Sequence, residues 1–292
     1  MSTLRIPRLR STPLEARPVI SESSGVRRLL VGASLAFLLL FLFLPLLAVF
    51  ASALGKGVSA YLATFSQPDT RAAIRLTLVA TAWAVPLNLG FGLAAAWSVA
   101  KFHFPGKSLL VTLIDLPLAI SPVVSGLVYI LVYGLHGWLG SWLAGHGVKV
   151  IFATPGIVMV TVFVTVPYVA RELIPLMQAQ GTEDEEAALT LGAGGWQTFF
   201  RVTLPSVRWA LLYGVTLCTA RAMGEFGAVS VVSGHIRGRT NTMALQVEIL
   251  YNEYQHVGAF TVASLLAGLA LVSLAVKTYI EWRGTHQPEV GS

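Results

Sequence analysis

The amino-acid sequence predicts an all-α integral membrane protein with six transmembrane helices. Hydrophobic residues occupy 55% of the 292 positions and charged residues only 12%, and the mean hydropathy is +0.71. Such a composition requires lipid rather than water as the solvent for much of the chain. About 20 apolar residues are needed to cross the hydrocarbon core of a bilayer, and six segments reach that length: 29–54, 72–100, 108–134, 156–177, 209–233 and 257–280.

The first segment is expected to be a membrane anchor, because its apolar run is longer than that of a cleaved signal peptide. Residues 1–28, which precede it, are rich in Arg, Ser and Pro, so we expect a disordered basic tail. Residues 29–71 would form the first transmembrane helix and an outer loop, residues 72–280 the main membrane domain, and residues 281–292 a C-terminal tail.

Basic residues predict the orientation of the chain in the membrane. Lys and Arg are more frequent in the loops that share a side with the N terminus than in the alternate loops, and the side with more of them is normally cytoplasmic. Both termini are therefore expected in the cytoplasm. The formal charge of +6 does not indicate a nucleic-acid partner, because the basic residues are scattered rather than arranged in a stripe with aromatic residues. Membrane lipid is the expected surrounding.

The stretch EDEEAALTLGAGGWQTFFRVTLP, residues 183–205, separates the fourth and fifth segments and is more polar than they are. Thr182 followed by Glu185 predicts a capping box at the start of a short helix. Gly192 predicts the end of that helix, because glycine readily adopts the positive φ found after helices. A second short helix is predicted from Trp196 to Val202, ended by the Leu-Pro pair that follows. The stretch is too short to span and too apolar to be idle in water, which predicts a docking surface for a soluble partner.

The order of residues in this stretch also carries a resemblance. Glu186-Ala187-Ala188, then Gly192, then Val202-Thr203-Leu204-Pro205 resemble the EAA signature of bacterial ABC importer permeases, in which the position of Val202 is usually Ile. In that family this loop is the coupling helix, which fits a cleft on an ATPase subunit. An amphipathic helix that only packs under the bundle is the alternative. The resemblance implies that the following residues couple to the ATPase: Glu185, Glu186, Ala187, Ala188, Gly192, Trp196, Leu204 and Pro205.

A second resemblance begins in the fifth segment. Residues 220–227, ARAMGEFG, are similar to a stretch of the permeases for sulfate, thiosulfate and molybdate, and residues 227–254 and 116–129 resemble the CysW type of sulfate/thiosulfate permease. The resemblance implies a MetI-like type I core, with residues 72–280 as the ABC transmembrane type-1 domain. It also implies the partners, namely a second permease of CysT type, two ATPase subunits that bind ATP and Mg, and a periplasmic sulfate- or thiosulfate-binding protein.

Arg221 and Glu225 lie one helical turn apart in the fifth segment, so a helix places them on the same face. Because a charge inside a membrane is costly, two interpretations arise: a buried ion pair that fixes helix register, or an arginine that also attracts an anion along its path. Serine hydroxyls inside the segments can donate to the same anion, although in membrane helices they often bond to backbone or to a neighbouring helix. The candidates are Ser121, Ser125, Ser230 and Ser233.

Enzymatic chemistry is not expected of this chain. Residues 105–108, PGKS, resemble the end of a Walker A loop, but Lys101 stands where that loop needs a glycine, so ATP would be bound and hydrolysed by the partner. Cys218 is the single cysteine and the histidines lack metal-ligand spacing, so we expect neither a metal nor a cofactor. The alternatives are molybdate or tungstate import and, in a different class, a passive anion channel or secondary carrier, in which the EAA loop would have no purpose.

Overall fold

The computed structural model describes residues Ser24–Thr285 as a series of helices, with no strand in that part of the chain. Two π-helical turns, Leu39–Phe43 and Phe199–Thr203, join α1 to α2 and α10 to α11. The α-helices are α1 (Ser24–Leu38), α2 (Leu44–Ala53), α3 (Gly57–Ser66), α4 (Pro68–Lys101), α5 (Lys107–Ala119), α6 (Pro122–Tyr133), α7 (Gly140–Gly145), α8 (Thr154–Ala179), α9 (Glu183–Thr190), α10 (Gly195–Thr198), α11 (Leu204–Met223), α12 (Gly227–Ser233), α13 (Met243–Asn252) and α14 (His256–Thr285).

The structure divides into two units, and the first extends to Leu47. α1, the π-helical turn and α2 form one helix, Gly25–Ala53, whose 29 residues are enough to cross a membrane. The side chains of residues 25–47 in the first unit are almost all exposed, as expected where lipid solvates the apolar surface. Residues 24–28, expected to belong to the disordered tail, begin this helix. Residues 1–23 of that tail lie outside the described residues.

The second unit, from Ala48 onward, is centred on α8, which contacts α4, α5, α6, α11 and α12. α4 and α8 approach closely at Gly92, where an added Cβ atom would lie 2.8 Å from the Cβ of Val169. Small residues let membrane helices pack through van der Waals contact without a hydrophobic driving force between them. Three small residues of α4 and α8, Ala95, Ala96 and Ala170, are buried in the apolar clusters near this contact.

Two short helices, α3 and α13, pack against α14. α3 lies in the region predicted to be an outer loop, and the Tyr61 hydroxyl lies 3.2 Å from the Ser264 hydroxyl of α14. α13 buries Met243, Leu245 and Leu250 and also contacts α4. α14 continues past the predicted boundary at residue 280, and residues 286–292 lie outside the described residues.

The third predicted span is not one straight helix. α5 ends at Ala119 and α6 begins at Pro122, and the two helices are bent by 108° relative to each other. Ile120 and Ser121 between them have extended ψ angles of 138° and 133°. A residue before proline is disfavoured in the helical conformation and proline itself cannot donate a backbone hydrogen bond. The span predicted over residues 108–134 is therefore a bent pair of helices.

The fifth predicted span is also bent, and it begins earlier than expected. α10, the π-helical turn and α11 form one helix, Gly195–Met223, which meets α12 at an angle of 49°. The predictions of a separate helix from Trp196 to Val202 and of a stop at Pro205 are wrong. Pro205 lies in the first turn of α11, directly after the π-helical turn. The wider turn accommodates a residue that lacks a backbone N–H.

Four continuous helices in the described part of the chain are long and apolar enough to cross a membrane. The number rises to six if each bent pair counts as one span.

Candidate functional site

α4 extends between the two ends of the second unit. Thr77 accepts a hydrogen bond from the backbone N–H of Met243, at the start of α13, at 2.9 Å. Lys101, the last residue of α4, lies 2.8 Å from the Glu185 carboxylate of α9. The helix between residues 77 and 101 is about 36 Å long at 1.5 Å per residue, which exceeds the hydrocarbon thickness of a bilayer. We call the end with α9 the coupling end and the end with α13 the far end.

The start of α9 differs from the predicted capping box. Thr182 precedes the helix, but its side chain makes no hydrogen bond to the helix backbone; its hydroxyl donates to Oε1 of Glu186 at 2.7 Å. Glu185 does not fold back to Thr182, because its carboxylate is bound by Lys101 and by the hydroxyl of Thr203, which donates at 3.0 Å. The predicted capping box is wrong, since a lysine from another helix competes for the glutamate.

The surroundings of Glu185 keep it ionised. Burial raises the pKa of its carboxyl group, but hydrogen bonds from Lys101, from its own backbone N–H and from Thr203, together with the charge of Lys101, outweigh burial and lower the pKa below its ordinary value. A lowered pKa in the folded state means that these contacts stabilise the protein above the ordinary carboxyl pKa and that this contribution is lost as the pH falls through the lowered value.

Gly192 ends α9 as predicted. Its φ is +88°, and an added Cβ would have no atom within 4 Å. The backbone N–H of Ala193 donates to the carbonyl of Ala188 at 3.0 Å, closing the turn. Glycine is therefore required at this position by the left-handed backbone conformation and not by crowding.

Large apolar side chains project from the coupling end. Leu191 is 88% exposed and Trp196 is 75% exposed, and the rings of Trp196 and Phe200 stack with centroids 6.0 Å apart. Exposed apolar patches of this kind mark contact surfaces. The structure divides the predicted coupling residues into two groups: Glu186, Ala187, Gly192, Trp196 and Pro205 are exposed, whereas Glu185, Ala188 and Leu204 are half-buried.

The predicted ion pair of the fifth segment is present. Nη1 of Arg221 lies 2.6 Å from Oε2 of Glu225, and the two side chains are 33% and 1% exposed. The other carboxylate oxygen of Glu225 accepts a hydrogen bond from the backbone N–H of Ala228 at 3.0 Å. Glu225 thus connects α11 to α12 across the break, while the guanidinium of Arg221 retains an accessible side.

Three of the candidate serines lie on the helices that follow the two breaks, Ser125 on α6 and Ser230 and Ser233 on α12, whereas Ser121 lies in the first break itself. Gly227 and Pro122 bring these breaks together, because a Cβ on Gly227 would lie 3.1 Å from the Cβ of Pro122. Backbone groups occupy three of the serine hydroxyls: Ser125 donates to the carbonyl of Ser121 at 3.3 Å, Ser230 donates to the carbonyl of Gly227 at 3.0 Å, and Ser233 accepts from the N–H of His235 at 3.1 Å. Ser121 is exposed at the break itself.

Comparison with known proteins identifies the family. The family described as "Binding-protein-dependent transport system inner membrane component" matches residues 88–283. This chain belongs to that family. It is a multi-pass inner membrane protein, because the family match coincides with the long apolar helices.

Similar proteins support the same assignment for this permease. It is 49% identical over 273 residues to "Sulfate transport system permease protein CysW" of Escherichia coli (strain K12), covering 94% of this chain and 92% of that protein. It is 36% identical over 244 residues to "Sulfate transport system permease protein CysT" of the same organism, covering 84% and 88%. A crystal structure of a bacterial alginate ABC transporter, in complex with an alginate pentasaccharide-bound periplasmic protein, matches with a TM-score of 0.70 at 15% identity, covering 91% of this chain and 98% of that chain. The predicted fold class is confirmed.

Sequence reasoning missed two residues of this permease at the coupling end, Lys101 and Thr203. Both bind Glu185. Thr203 lies within the EAA-like stretch, but nothing in that stretch indicates a contact with Glu185, and Lys101 is marked only by its place at the end of an apolar segment. It also did not predict the ion pair at 3.0 Å between Arg171 of α8 and Asp115 of α5. Within residues 24–285, no group of three or more His, Cys, Asp or Glu side chains is arranged to hold a metal ion.

Proposed function

We propose that this chain is the permease subunit of an ATP-driven sulfate/thiosulfate importer, forming half of the translocation pathway. The observation that carries the proposal is the 49% identity to a CysW sulfate permease along almost the whole chain. The lower identity to CysT supports the CysW position in a heterodimeric permease pair. The remaining half of the pathway then comes from a CysT-type subunit.

The coupling end is proposed to bind an ATPase subunit. Its exposed apolar side chains and the ordered turn at Gly192 fit a helix that inserts into a cleft of a soluble protein. Two ATPase subunits would bind ATP and Mg, and this chain would hold neither. The coupling end is then cytoplasmic, as are both termini, and the far end faces a periplasmic sulfate- or thiosulfate-binding protein. Motion of the ATPases reaches the fifth span through the continuous helix from Gly195 to Met223.

The two facing breaks are proposed to border the anion path. Backbone at membrane depth without regular helix is tolerated where it is buried in protein or lines a water-filled cavity. Arg221 supplies a permanently charged, planar donor group suited to an oxyanion, and its ion pair with Glu225 lowers the cost of keeping the charge within the bundle. Ser121 is the serine with an exposed position at a break, whereas the hydroxyls of Ser125, Ser230 and Ser233 already bond to backbone.

The other candidate functions are less well supported. Molybdate or tungstate import is not favoured, because the similar curated proteins are sulfate permeases. A passive channel or a secondary carrier would leave the ordered, apolar coupling end without a partner.

Uptake of radiolabelled sulfate tests the proposal. The chain is produced with its CysT-type, ATPase and binding-protein partners in a bacterium that lacks sulfate permeases. We expect uptake that requires every subunit, that thiosulfate inhibits, and that excess molybdate leaves largely unchanged. Purification of the chain should recover the ATPase subunits and the second permease. Uptake without the ATPase subunits, or inhibition by molybdate and not by thiosulfate, would contradict the proposal.

A further inference from the structure

Three elements meet at the side chain of Lys101. This residue ends α4, and its ammonium group lies 2.8 Å from Oε1 of Glu185 in α9. It also donates to the backbone carbonyl of Gly181, just before α9. The hydroxyl of Thr203, in the π-helical turn that leads into α11, donates to the same oxygen of Glu185 at 3.0 Å. One carboxylate therefore connects α9 to both α4 and the helix that contains α11.

Lys101 is held in place more firmly than a surface lysine. Its side chain is only 7% exposed, and that of Glu185 is 16% exposed. A lysine at the C-terminal end of a helix is favoured by the helix dipole. Contacts to Gly181 and Glu185 bind both the segment before α9 and the first turn of α9. Two attachment points fix the direction of a helix as well as its position.

α4 extends from this attachment to the far end of the second unit. Along its length it packs against α8, at Gly92 and Val169, and near its other end Thr77 binds the first residue of α13. A continuous helix with contacts at both ends transmits a displacement over that distance without requiring any flexible link. α4 is therefore a second route for motion from α9, besides the helix from Gly195 to Met223.

We propose that Lys101 is a positioning residue that attaches the coupling helix α9 to α4, so that motion imposed on α9 moves α4 and α11 together. The proposal rests on the proposed function, in which α9 receives the motion of an ATPase. Stability alone does not account for the arrangement, because a well-packed apolar pair commonly stabilises a fold as much as a buried ion pair does. What the ion pair and its hydrogen bonds add is a defined direction of α9 relative to two other helices.

The test compares Lys101→Met with Lys101→Arg and with Lys107→Met in the assembled, reconstituted importer. Lys107 starts α5 at the same end and forms no ion pair with any acidic side chain in the described part of the chain, so its variant removes the same charge without touching α9. We measure sulfate transported per ATP hydrolysed when loaded binding protein is added. For Lys101→Met we expect this ratio to fall by about 2- to 30-fold, the range of measured coupling effects, while the ATPase subunits remain bound. Lys101→Arg and Lys107→Met should retain the wild-type ratio.

If Lys101→Met does not fold, a second pair of variants tests the contacts of Glu185. Thr203→Val removes one hydrogen bond to Glu185 and keeps the ion pair, whereas Thr198→Val makes the same change five residues earlier, at a buried hydroxyl that forms no hydrogen bond with any group among the described residues. We expect a lower transport ratio for Thr203→Val and no change for Thr198→Val. A wild-type ratio in a folded Lys101→Met overturns the attachment of α9 to α4, and a wild-type ratio in Thr203→Val overturns the joint movement of α11. If the unmodified complex does not import sulfate at all, it is the proposed function that fails.

Discussion

Gly192 allows the shape of the coupling helix to be tested separately from the volume of its surface. Its φ is +88° and no atom lies within 4 Å of an added Cβ. Gly192→Ala therefore introduces no clash within this chain, and its whole effect is the cost of about 1–2 kcal/mol for an L-residue in the left-handed conformation. That cost changes the fraction of chains with the native turn by about 5- to 30-fold.

Gly194 provides the matched control. It also has open space around it, but its φ of −77° and ψ of 161° are extended backbone that any residue adopts. Gly194→Ala should therefore change stability by no more than about 0.5 kcal/mol. Gly192→Asn should fall between Gly192→Ala and the wild type, because asparagine tolerates the left-handed region better than other residues do.

The assay is a titration of the purified permease with its ATPase subunit. We expect the dissociation constant to rise by up to about 5- to 30-fold for Gly192→Ala and to stay unchanged for Gly194→Ala. Equal affinities for these two alanine variants would refute the argument from φ. Tryptophan at either position then adds volume to the docking face, so that a loss of affinity in Gly194→Trp reports a tight cleft on the partner.

Three further predictions concern packing, the anion path and backbone strain. Gly92→Ala should lower thermal stability by about 1–3 kcal/mol through overpacking against α8, whereas Gly90→Ala, which has open space on the same helix, should raise it by up to about 1 kcal/mol. Arg221→Lys keeps the charge near Glu225 but loses the planar fork, so uptake should fall while the complex still assembles; normal uptake would leave a structural ion pair only. Tyr254 has a φ of +60° and an 84% exposed side chain, so Tyr254→Gly should raise the melting temperature by relieving roughly 1–2 kcal/mol of strain, partly offset by the entropy of glycine; a lower melting temperature would show that the ring makes contacts worth more than the strain.

The apolar pattern of the sequence predicted where the helices lie but not where they bend. Segments 72–100 and 156–177 correspond to continuous helices, although Pro86 and Pro167 lie inside them. Pro122 interrupts its segment completely. Proline content alone does not distinguish these outcomes, because the bend at Pro122 is accompanied by close packing of α6 on α12, a contact that hydropathy does not represent.

The coupling end was predicted where it depends on local spacing and missed where it depends on distant residues. Gly192 follows the first helix at a fixed interval, and its role in the turn is visible in the sequence. The capping box failed because Glu185 has a stronger partner in Lys101, which is distant along the chain. Local rules assume that a side chain has no better partner elsewhere, and at helix junctions that assumption often fails.

The bend between α5 and α6 has a consequence for how the chain is made. α6 packs closely on α12 at Gly126 and Ala228, and the ribosome adds the second of these about 100 residues after the first, which takes roughly 5–20 s at common bacterial rates. Throughout that interval the apolar stretch of α5 and α6 must remain in the lipid without its eventual neighbour. We therefore expect the close packing of α6 on α12 to form late in biogenesis, only once α12 has been inserted.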